Sequence, residues 1–162
     1  MSLSVEQCEA IVSEFKEEYP GISHLEFRIK QTAREIYGEQ NAKNLGKIKG
    51  AYSPSSGVVA IISSSIDSKK DLAGTLRHEL IGHYGLNTLE KGEKLALLEN
   101  ISALAHACDL PAKAKIFFDN VMNVYHDKTR LVQAEEIFCA LCESKMPPDF
   151  QYNDYRIALS PN

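Results

Sequence analysis

Two histidines and a glutamate stand within six residues, His78-Glu79-Leu80-Ile81-Gly82-His83, in a stretch whose apolar periodicity is helical. Neutral imidazoles bind zinc, and a carboxylate beside them can take the proton of a zinc-bound water, so the hexapeptide holds most of a hydrolytic centre. The spacing is the difficulty. In the common motif H-E-x-x-H the histidines are four apart and share a helical face, whereas here they are five apart. At 3.6 residues per turn, positions four apart diverge by about 40° and positions five apart by about 140°. A regular helix cannot aim both rings at one ion. A π-type turn, with hydrogen bonds from i to i+5, returns them to one side. The spacing therefore predicts a bulged helix between Leu80 and His83, and Gly82, lacking a Cβ, suits strained backbone there.

A catalytic zinc usually has three protein ligands and keeps a fourth position for water or substrate. Downstream, Glu135 and Glu136 are adjacent carboxylates inside the otherwise apolar run Ala134-Glu135-Glu136-Ile137-Phe138-Cys139. Buried without a counter-charge, such acids would cost several kcal/mol by rough estimate, and a metal with its histidines is a ready partner. Cys139-x-x-Cys142 is a single pair on the same helix and reads as core thiols, not as a redox or metal motif. His24, His106 and His126 read as structural or solvent-facing. Tyr84, His126, Arg130, Tyr152 and Tyr155 are the candidates for stabilising an oxyanion, unranked among themselves.

The six-residue motif is similar to that of the dipeptidyl peptidase III family, which has the same five-residue spacing and pairs it with a later Glu-Glu helix. The resemblance implies His78, His83 and Glu136 as zinc ligands, Glu79 as general base, and Glu135 as the acceptor that orients a histidine ring; Glu135 and Glu136 could exchange roles. Two short segments carry it. Thr75 to Leu89 together with Ala134 to Glu143 also resembles the small zincin-like domains of phage and plasmid polyvalent proteins. These resemblances imply a zincin-like metallopeptidase that hydrolyses a peptide or protein substrate with zinc-activated water. The alternatives are an accessory or interaction module of a mobile genetic element whose zinc is mainly structural, and a zinc hydrolase acting on a non-peptide amide or ester.

Positioning these residues requires an α+β chain. An amphipathic helix is expected from Ser4 to Tyr19, a strand through Leu25, Phe27 and Ile29, a short helix from Thr32 to Tyr37, and loop from Gly38 to Gly46. Lys47 to Tyr52 and Gly57 to Ser63 flank the turn Ser53-Pro54-Ser55-Ser56. The second of these strands is the candidate sheet edge along which an extended peptide would add. Ser68 with Asp71 starts the motif helix and Gly85 is placed to end it; three helices follow, Glu93 to Ala107, Pro111 to Tyr125 and Thr129 to Glu143. Residues 146–162 form a tail with Phe150, Tyr152 and Tyr155.

At 162 residues and 44% hydrophobic content, the chain has the size of one domain, spanning 1–162. A net charge of −4 without a basic block argues against nucleic acid as a partner. The start lacks an export signal and no stretch is long enough to span a bilayer, so a cytoplasmic protein with its four cysteines reduced is expected.

Overall fold

The computed structural model describes residues 1–144; the tail at 146–162, with Tyr152 and Tyr155, lies outside the described residues. The class is α+β, with a small mixed sheet early in the chain and helices after it. Two compact units are present, Met1–Leu80 and a second beginning at Ile81, and the boundary falls inside the helix that carries both histidines.

In the first unit, α1 (Val5–Glu18) is closed at its start by a reciprocal pair: Gln7 N donates to Ser4 Oγ at 3.1 Å and Ser4 N to Gln7 Oε1 at 2.8 Å. Cys8, Val12 and Phe15 recur on its buried face, one helical turn apart. Strand β1 (Glu26–Lys30) alternates exposed and half-buried positions as its sequence alternates charged and apolar residues. α2 (Ala33–Tyr37) and α3 (Glu39–Leu45) then lead to the hairpin of β2 (Gly50–Ser53) and β3 (Val58–Ile62).

The sheet order is β1-β3-β2, with β3 parallel to β1 and antiparallel to β2. β3 is therefore the central strand. Both of its hydrogen-bonding sides are occupied, so Gly57 to Ser63 cannot be the edge that receives a peptide; β1 and β2 are the edges. The all-apolar run Val59, Ala60, Ile61 and Ile62 is the mark of a strand buried on both faces, and none of these residues exceeds 3% exposure.

The expected loop at 38–46 is instead the helix α3. Gly38 and Gly46 take positive φ, 80° and 66°, and so bound the helix where other residues would be strained.

α4 (Lys69–Leu76) begins at Ser68, whose hydroxyl accepts from Asp71 N at 3.1 Å, and Lys49 braces the same turn through Asp71 at 2.6 Å. Its continuation, Arg77–Tyr84, is π-helical over eight residues, a longer distortion than the single bulge expected between Leu80 and His83. Gly85 does not end the helix. The chain runs on as α5 (Gly85–Asn87), drawn by the burial of Leu86, and stops at Thr88, whose hydroxyl donates to Gly85 O at 2.6 Å.

The second unit packs α6 (Lys91–Ala105), α7 (Ala112–Val124) and α8 (Arg130–Glu143) around Leu86, Leu98, Ile101, Phe118, Ile137 and Leu141. Glu90 and Glu93 cap α6, and the Thr129 hydroxyl caps α8 at Val132 N, 3.3 Å. Among the described residues, no helix is long and apolar enough to cross a membrane.

Candidate metal centre

The geometry around His83 is the most specific feature of the second unit. α8 turns Glu135 and Glu136 toward opposite nitrogens of the same ring: Nδ1 lies 3.1 Å from Glu135 Oε1, and Nε2 lies 3.5 Å from Glu136 Oε1. An ionised carboxylate only accepts, so the proton is assigned to Nδ1, which donates to Glu135 and leaves the Nε2 lone pair facing Glu136. The bond from His83 holds the Glu135 carboxyl below its ordinary range against its burial, helped by the Lys94 ammonium 3.6 Å from Oε2.

A histidine whose far nitrogen is held by a carboxylate is the usual form of a metal-bound imidazole. The 3.5 Å between Nε2 and the Glu136 oxygen also fits two neighbouring ligands of one tetrahedral zinc, for which bond lengths near 2.0–2.2 Å imply about 3.4 Å.

His78 lies five residues earlier on the same helix, and the π-helical winding brings its ring within reach: candidate ligand atoms of His78 and His83 are within 4.8 Å of one another. Cys139 Sγ, one turn beyond Glu135 on α8, falls within the same limit. His78, His83 and Cys139 thus form a group able to hold a metal ion, and the side chains' types fit one.

Cys139, read from the sequence as a core thiol, is fully buried and also belongs to this group. Gly82 makes room for it. A Cβ built on Gly82 would meet Cys139 Sγ at 2.7 Å and the Cys139 Cα and Cβ at 2.9 Å. Gly82 does not adopt positive φ, so the absent side chain serves the close approach of α8 and not backbone strain. Cys142, three residues on, is different. Burial pushes its thiol up to about 11, as suits a protonated core cysteine.

Glu79 is engaged in the first unit. Its Oε2 accepts from the main-chain N–H of Tyr52 on β2 at 3.0 Å. The carboxylate thus fills a hydrogen-bonding slot on the open edge of that strand. Burial and the nearby Glu79 charge together push the Tyr37 phenol upward, which marks Tyr37 as a neighbour that sequence patterning did not single out. Of the remaining candidates, His126 is exposed with Nδ1 on the Asn123 carbonyl at 3.0 Å, Arg130 is exposed at the first turn of α8, and Tyr84 is half-buried at the end of the π-helical segment.

The chain is 32% identical to DNA primase TraC of Escherichia coli over 163 aligned residues, covering 95% of the chain and 11% of that protein. No protein-family profile and no solved structure matches it. The chain is thus similar to a small part of a much longer enzyme.

This match overturns two expectations. Peptide-bond hydrolysis on a peptide or protein substrate gives way, because the matching segment belongs to a protein named for DNA priming. A metal group with an adjacent carboxylate is shared by structural and hydrolytic sites, so the motif alone never specified a protease. The exclusion of nucleic acid also falls. A net charge of −4 over a chain that spans 11% of its relative says nothing about DNA contacts made along the rest of such a protein.

Proposed function

We propose that this chain is a zinc-stabilised accessory module of a DNA-priming protein of a mobile element. The observation that carries this reading is the 32% identity over 95% of the chain to a segment of DNA primase TraC. The donors favour zinc over harder cations: two imidazoles, a thiol and a carboxylate suit a borderline-soft ion, whereas calcium and magnesium prefer oxygen alone. Zinc supplies folding energy when bound at such a site.

The chain's own residues do the rest. Glu135 fixes the His83 ring, Lys94 balances Glu135, and Glu79 anchors the β2 edge through Tyr52 N–H. A carboxylate placed on an open strand edge also discourages pairing with foreign strands.

The test is fluorescence anisotropy of labelled single-stranded DNA titrated with the zinc-loaded chain. Saturable binding is expected, weakening as salt rises from about 50 to about 200 mM because phosphate contacts release counterions. Absence of binding at the lower salt, together with unchanged primer synthesis when the matching segment is deleted from the primase, would overturn the reading.

A further inference from the structure

We propose that Cys139 is a thiolate ligand to the metal ion that His83 would hold. The inference rests on the zinc-binding reading above and goes beyond it by assigning a thiolate ligand.

Two observations meet here. Cys139 is fully buried and belongs to the group whose ligand atoms lie within 4.8 Å of one another. The histidine-bearing helix carries glycine at the one point where any side chain would strike Cys139, its missing Cβ falling 2.7 Å from Sγ. An alanine there would hold the sulfur away from the neighbouring imidazole.

A divalent ion buried beside neutral imidazoles needs negative ligands to avoid the cost of an uncompensated charge. A thiolate at Cys139 supplies one negative charge, and the Glu136 carboxylate, its Oε1 3.5 Å from His83 Nε2, brings another to the same ring.

Cobalt(II) substitution tests this directly. The protein is stripped of zinc, loaded with cobalt(II) and examined by absorption spectroscopy with the metal content measured alongside. The wild-type protein should bind one equivalent and show the near-ultraviolet band of thiolate-to-cobalt charge transfer. Cys139→Ser should lose that band, while Cys142→Ser and Glu136→Gln should keep it.

One equivalent of cobalt without the band in the wild-type protein would overturn the thiolate ligand and leave zinc binding standing. Survival of the band in Cys139→Ser would do the same. Failure of the wild-type protein to bind cobalt or zinc at all would instead remove the metal-site reading itself. Absence of the band from the wild-type protein would decide against the thiolate even if a variant failed to fold.

Discussion

Gly82→Ala adds one methyl group where α8 leaves no room. The new carbon would lie 2.9 Å from Cys139 Cα, short by about 0.6 Å of the roughly 3.5 Å at which two carbons rest. Two of the three obstructing atoms are Cα and Cβ, which cannot rotate away, so α8 itself must retreat and carry Glu135 and Glu136 from the His83 ring. Overpacking costs about 1–3 kcal/mol, and a backbone obstacle places this case near 3. Alanine returns about 1 kcal/mol through its better helical propensity. The net loss is about 2 kcal/mol, about thirtyfold in the ratio of folded to unfolded protein. Urea unfolding followed by circular dichroism should show a lowered midpoint with an unchanged slope, and zinc affinity should fall with it. A Gly82→Ala protein as stable as the parent, or more so, would refute the close approach of α8 as the reason for glycine.

Glu79→Leu should destabilise the protein by about 1.5–3 kcal/mol, the range for a hydrogen bond to a charged group, and Tyr52 N–H should exchange with solvent faster, read by hydrogen–deuterium exchange. Glu135→Gln should keep zinc bound with affinity lowered about 10- to 100-fold, as loss of a carboxylate behind a ligand histidine does elsewhere; competition against a chromophoric chelator measures it. Burial raises the pKa of Asp71, but Lys49 at 2.6 Å and the Asp67 N–H outweigh it and hold the carboxyl below its ordinary value. Its contribution is therefore full above the unfolded-state pKa, about 3.9, and is lost as pH falls through the lower folded-state value. Lys49→Met should weaken the fold at neutral pH, and the difference from wild type should vanish in acid urea titrations. Of the four cysteines, Cys108 is exposed and should alkylate first in the native protein, with Cys8, Cys139 and Cys142 protected until unfolding, as mass spectrometry of timed digests would show.

Local signals in the sequence carried much of the architecture. Ser68 with Asp71 caps α4 where side-chain chemistry places it, helices begin after Ser4 and Thr129 as their periodicity indicates, and alternation marked β1. The five-residue histidine spacing required a widened helix, and the chain is π-helical across it. What failed to show was non-local. Nothing in Val58–Ile62 declares that β1 pairs with it in parallel, so its central place in the sheet stayed hidden. Gly38 and Gly46 looked like loop filler because a glycine's sign of φ is invisible before folding. Cys139 read as a core thiol because burial and metal binding both favour cysteine at such a position. The convergence of its sulfur with the histidine nitrogens exists only in the folded chain. Function was least legible, since residues able to hold a metal do not specify what is done with it.

The proposed zinc would hold the fold together. Its most direct test is the zinc content of protein purified without added metal, measured alongside thermal unfolding before and after chelation. One zinc per chain, with a melting temperature that falls on removal and recovers on restoring zinc, is the predicted result. A protein that carries no zinc, or that loses it without any change in melting, would contradict it.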